Sequence, residues 1–232
     1  MHKPARSHPL ALRLALCAAA LLAGALARAD APPPQTTKDG LVLKKQTATR
    51  LVYLRPGARF SQYDRVAVLD CFVQFRKNYA RDYNDNEVSL DHQVTDDDIQ
   101  RMKSAIAAEF KKIFVQQLGK GGYQVVDTAA PDVLVLRPAL INVDVTAPDL
   151  MTPGIDTTLV RSAGSMTLYL ELWDSATNTI LARVMDAQTD PYTYARPANR
   201  VTNLASADAV LKSWADELVS HLDAVRGTPA AK

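Results

Sequence analysis

Acidic and amide side chains crowd one short stretch of the chain. Asp82, Asn84 and Asn86 stand at alternate positions, the spacing with which a calcium loop begins to gather oxygen ligands. The pattern then stops. Glu87 occupies the position that needs glycine for the sharp turn, and Gln93 the one that needs a bidentate glutamate. The stretch therefore reads as a solvated acidic loop. Its carboxylates Asp85, Glu87 and Asp91 are the set that could do paired acid–base work in a hydrolase. Asp96, Asp97 and Asp98 follow, but they open a helix, where the dipole favours negative charge without any ligand.

Other chemistry finds less support. After residue 29 the histidines are His92 and His221, and no H-x-x-x-H or C-x-x-C spacing occurs, so neither a metal nor a cofactor is expected. Gly164-Ser165-Met166 lacks the closing glycine of a nucleophile elbow, and no catalytic set is assigned. Lys120, among Gly119, Gly121 and Gly122, lacks the spacing and the hydroxyl residue of a phosphate loop and reads as a helix end. Arg137 sits among apolar neighbours, where it would be a paired charge or an anion contact.

The elements that must position these residues show in the periodicity. Arg65 to Phe75 reads as one buried strand, with Cys71 on the face of Ala67, Leu69, Val73 and Phe75. Cys71 is then a buried thiol, and Asp70, beside Val66, Val68 and Phe72, a paired or rim charge. Residues 78–92 read as an exposed loop. Thr95 caps a helix whose stripe runs Ile99, Met102, Ile106, Phe110, Ile113, Phe114, Leu118 and ends at Gly119. Tyr123 to Val126 is a short strand, and Asp132 to Val145 a second, where Pro138 calls for a bulge, an edge position or a break. Residues 146–163 form a loop. From Gly164 to Trp173, Met166, Leu168, Leu170 and Leu172 point one way, and Ser165, Thr167, Tyr169, Glu171 and Trp173 the other. The turn 174–178 leads into the strand Thr179 to Asp186. A last helix begins near Leu204, carries Val210, Leu211, Trp214, Leu218, Leu222 and Val225 on one face, and stops near Gly227. The expected fold is an α/β two-layer sandwich: a mostly antiparallel sheet of about five strands packed by two long amphipathic helices.

The amino-terminal residues carry an address. Lys3, Arg6 and Arg13 precede an apolar run from Leu14 to Leu26, and Ala27-Arg28-Ala29 provides an A-x-A exit, so residues 1–29 read as a signal peptide cleaved after Ala29. Cys17 offers a lipoprotein alternative, but of the preceding Leu14-Ala15-Leu16 it is Leu16, directly before the thiol, that stands where a lipobox wants a small residue. Four of the 27 Lys and Arg lie in the signal, leaving 23 against 25 Asp and Glu, so cleavage takes the net charge from +2 to −2. That balance gives no nucleic-acid surface. With Cys17 removed, Cys71 has no partner for an internal disulfide. Residues 30–50, opening on Pro32-Pro33-Pro34, read as a flexible leader, 51–226 as a single α/β domain, and 227–232 as a disordered tail.

Five stretches in order resemble the domain-of-unknown-function family 3313, a family of bacterial envelope lipoproteins. They are Tyr53-Leu54-Arg55-Pro56-Gly57-Ala58 with Phe60 to Val66, Gly122 to Asp127, Val133 to Leu140, Gly164 to Thr177, and Trp214-Ala215-Asp216-Glu217-Leu218. The resemblance covers most of residues 50–225. It implies an envelope protein without an assigned activity, and supplies no catalytic residues. The chain departs from the family in lacking a good lipobox.

The functional expectation is an exported, non-enzymatic periplasmic binding or accessory protein, with peripheral outer-membrane association as a variant. Its loops 78–94 and 146–163 would contact an envelope protein or another envelope component. The sequence provides no oligomeric state, and no transmembrane segment remains after signal cleavage. The alternatives are a periplasmic hydrolase using the loop carboxylates and a small-ligand carrier with a pocket beneath the helices.

Overall fold

The computed structural model describes residues 32–88, 92–146, 158–160, 164–190, 196–198 and 200–226. The signal segment, Asp91, most of loop 146–163 and the 227–232 tail therefore lie outside the described residues. By contacts the chain divides into Met1–Pro34 and Gln35–Lys232, and every element belongs to the second unit.

Three adjacent strands carry the framework. β6 (Val133–Val145), β8 (Gly164–Asp174) and β9 (Thr179–Thr189) pair antiparallel. Their alternating residues divide as their hydropathy dictates. Leu134, Leu136, Leu140, Leu168, Leu170, Leu172 and Ala182 enter the main core on one face, and burying each leucine contributes about 2 kcal/mol. The β8–β9 turn is set by Asp174, whose Oδ1 accepts from the Ala176 and Thr177 amides and the Thr177 hydroxyl, with Asn178 left-handed at φ 51°.

Outward from β9 the sheet adds β2 (Arg50–Leu54) and then β1 (Val42–Gln46), both antiparallel. The expectation of a flexible leader over 30–50 is corrected here. Leu41 is fully buried, and with Tyr53 and Ile180 it seeds a small cluster joined by Leu43, Leu51 and Trp173. This short apolar anchor, interrupted by Lys44 and Lys45, is too brief to show a period.

On the other side of β6 the pairing is parallel. β3 (Arg65–Val68) pairs β6 over Val133–Leu136, and β4 (Phe72–Phe75) pairs it over Ala139–Val143. The single strand expected over 65–75 is thus broken at Leu69-Asp70-Cys71, which flips its faces. Val66 and Val68 are buried before the break, and Cys71, Val73 and Phe75 after it. Cys71 therefore does not share a face with Leu69, nor Asp70 with a buried Val66 row; Leu69 is 46% and Phe72 61% exposed. Pro138 explains the break. The Leu136 carbonyl accepts from the Leu69 amide, so Pro138, two residues on, also points at this neighbour and has no N–H to offer. β6 runs straight through Pro138, its own irregularity falling later, between Ile141 and Asp144, where Asn142 is left-handed at φ 52°, so that at Pro138 the partner strand absorbs the defect.

The helices complete the fold. α1 (Tyr79–Asn84) occupies part of the expected loop, with the Tyr79 ring tilted against Phe75 at 4.7 Å between centroids and its hydroxyl donating to the Val145 carbonyl. α2 (Asp96–Lys120) starts with a capping box between Thr95 and Asp98 and carries the chain over to β5 (Gln124–Val125), parallel to β3. α3 (Arg200–Arg226) packs beside it. β7 (Thr158–Val160) and β10 (Arg196–Ala198) form a separate two-stranded ladder. The eight-stranded sheet runs β1-β2-β9-β8-β6-β3-β5, with β4 also on β6. The expected α/β layering holds, but the sheet is larger and mixed, because the long α2 crossover permits parallel neighbours.

Candidate functional site

The acidic loop chosen from sequence folds around its own charges. Arg76 binds Asp82 at 2.7 Å and Asp144 at 2.9 Å, and Arg81 also reaches Asp82. Asn84 clamps the chain with both ends of its amide, accepting from the Val94 N–H and donating to its carbonyl. Asn86 donates to the Asp82 carbonyl, Asp85 caps α1, and Glu87 lies 3.9 Å from His92. Asp82, Asn84 and Asn86 thus do not converge on a common point. Asp98 is buried in its cap; burial raises its pKa, but the Thr95 donors and Arg101 prevail and hold it below the usual range. Among the described residues no three His, Cys, Asp or Glu side chains form a group that could hold a metal ion.

The other singled-out residues are dispersed. His221 is exposed on α3, 3.7 Å from Glu217. Ser165 lies near the start of β8, paired with Asp144 and Thr189, and Lys120 ends α2. Asp70 meets Lys111 at 2.8 Å. Cys71 is buried, which pushes its thiol up to about 12 and keeps it protonated.

Two polar joints escape the sequence reading. On the sheet face away from the helices, Arg137, Glu171, Arg183 and Tyr53 are successive cross-strand neighbours. Glu171 is buried, which pushes its pKa up, yet the Tyr169 hydroxyl, Arg183 and the Trp173 indole outweigh this and hold it below the usual range. Arg183 continues to Asp39, whose carboxyl is held down to about 2 by Thr37 and Arg183. Arg137 approaches Glu171 at 3.9 Å, the paired-charge role. Beneath the helices, Asp186 Oδ2 accepts from Arg50 at 2.7 Å, Gln188 at 3.0 Å and Trp214 at 2.7 Å, and Arg50 also meets Glu217. One signal for this joint was available. Asp186 is an acid at an inward position of β9, and Trp214 and Glu217 lie three apart on α3, on one helix side.

Two surfaces remain. One is a shallow cleft of about 290 Å³ at the β8–β9 turn, walled by the 55–63 segment and residues 174–181. The sequence places a small-ligand pocket beneath the helices; this cleft lies at the end of the sheet. The other is the sheet face opposite the helices. Phe72, Ala139, Tyr169, Met185 and Leu51 follow one another there as direct register partners across five strands.

The family model described as protein of unknown function (DUF3313) matches residues 37–218. No curated protein matches the chain. Among solved structures, a PelC dodecamer from Paraburkholderia phytofirmans is 13% identical, covering 71% of this chain and 96% of that one, with TM-score 0.37. A minor lipoprotein from Acinetobacter baumannii is 10% identical, covering 71% and 95%, with TM-score 0.31. Protein XCC0632 from Xanthomonas campestris, of family DUF330, is 14% identical, covering 70% and 85%, with TM-score 0.34. These are distant likenesses. No helix among the described residues is long and apolar enough to cross a membrane.

Proposed function

The chain belongs to the DUF3313 family of proteins of unknown function, and on that footing we propose that it is a non-enzymatic accessory domain of the bacterial cell envelope. A signal peptide cleaved after Ala29 exports it to the periplasm, where it docks against another envelope protein. The basic start, the apolar run and the A-x-A exit support the address.

One observation carries the docking reading. Among the described residues the helices join the sheet on a single face, while the other presents the apolar row from Leu51 to Phe72, ending on a side chain 61% exposed. Arg137 and Gln74 supply polar neighbours at its margin, and an apolar centre with a polar rim fits a protein partner. The ionisable groups nearest this row, Glu171 and Arg183, are tied to each other, so they shape the surface and leave no base poised over a substrate.

A photo-crosslinking phenylalanine analogue at position 72, in periplasm, is expected to trap one defined envelope protein. The same analogue at Val88, exposed but off this row, is expected to trap none. If position 72 captures nothing while the purified protein turns over an ester, peptide or glycan, the reading is wrong and the carboxylates of the acidic loop become the place to look.

A further inference from the structure

The cleft at the β8–β9 turn is built from donors. Its lining includes two arginines, Arg55 and Arg59. Arg55 is fixed by carbonyls alone, its Nε donating to Ile180 at 2.5 Å and one terminal nitrogen to Asp39 at 3.0 Å, so among the described residues no carboxylate neutralises it. Arg59 is exposed at the rim and has no charge partner among the described residues. The one acid in the lining, Asp174, is spent. It is buried, with Oδ2 taken by the Tyr63 hydroxyl at 2.6 Å and Oδ1 by the turn amides and Thr177. Thr179 adds a hydroxyl beside Thr177, 3.0 Å away.

We propose that this cleft binds the anionic oxygens, carboxylate or phosphate, of a small ligand the size of one sugar unit. The chemistry follows from the lining. Arginine N–H donors that no carboxylate takes up match an oxyanion, and Asp174, the acid of the lining, is buried with both oxygens already hydrogen-bonded. Pro56, Gly57, Ala58 and Leu181 provide an apolar wall against which a ring can lie. Gly57, at φ 75°, adopts the left-handed turn conformation that side-chain-bearing residues rarely take. This site lies apart from the docking row, and neither depends on the other.

Amide chemical shifts of the purified protein test it, titrated separately with glucuronate, glucose 6-phosphate and neutral glucose. The expected result is saturable movement of the Gly57, Ala58 and Thr177 amides with one or both anions and none with glucose; the tighter anion identifies the source of the oxygens. Arg59→Gln, at an exposed position, should leave the remaining spectrum unchanged and weaken binding about tenfold, with Arg59→Lys recovering part of it. Equal movement with glucose, no movement with either anion, or unchanged affinity in Arg59→Gln overturns the proposal.

Discussion

The indole Nε1 of Trp214 donates to Oδ2 of Asp186 across 2.7 Å, with both residues buried. Strand β9 and helix α3 are thereby joined through a carboxylate that burial pushes up in pKa, but that Arg50, Gln188 and Trp214 together hold below the ordinary range. The second oxygen, Oδ1, is buried without a hydrogen-bond partner among the described residues. The joint therefore has no donor to spare. Trp214→Phe keeps an aromatic ring but deletes the donor and part of the buried volume, and should cost at least about 1–3 kcal/mol in chemical denaturation with the slope unchanged.

Gly164 starts β8 at φ 149°, where a Cβ would drive into the carbonyl oxygen of Asp144 on β6. The close approach of the two strands depends on the missing side chain. Gly164→Ala should destabilise the protein by about 1–3 kcal/mol, read as a fall in Tm, while Gly57→Ala, where space is open, costs less.

Asp208 has its pKa raised by burial and by Glu109 across the helix pair. A carboxyl raised in the folded state binds its proton more tightly there than when unfolded. Stability therefore falls as pH rises through the folded value. Asp208→Asn should raise Tm at pH 7, and the advantage should vanish below the ordinary value of 3.8, where the native acid is already protonated.

Asp39 has the opposite sign. Its carboxyl titrates at about 2 against an ordinary 3.8, so the stabilisation it adds is complete above 3.8 and is lost as pH falls from there through about 2. Asp39→Asn should lower Tm at neutral pH and flatten its acid decline over that interval, while leaving the profile above pH 5 parallel to the parent's. Salt should shrink the difference, because the pair with Arg183 is partly exposed.

Phe72 makes its case at the surface. Phe72→Ser removes an exposed ring, so stability should hold within about 0.5 kcal/mol. Recovery of the docking partner from periplasmic pull-down should fall at least severalfold. A loss of Tm with unchanged recovery would assign Phe72 to the fold instead.

Much of the fold was legible in the residues themselves. The Thr95 N-cap, the stripe from Ile99 to Leu118, the alternation of β8 and the Asp174 turn all rest on spacings of two to four residues. A one-dimensional reading resolves these because the groups that decide them are near neighbours in the chain. The exceptions are instructive. β1 was hidden because Leu41 and Leu43 are too few to show a period, and their burial depends on Tyr53 and Ile180.

What only the tertiary structure decided are the pairings between distant segments. Pro138 announced a defect, but the defect falls on Leu69-Asp70-Cys71, because Pro138 aims its missing donor at the strand beside it. Arg50 and Asp186, 136 residues apart, meet Trp214 only because β2, β9 and α3 stack there. Arg55 and Asp174 line one cleft for the same reason. Local spacing records period and charge. It does not record which long loops close, and closure places two lone side chains within hydrogen-bonding distance.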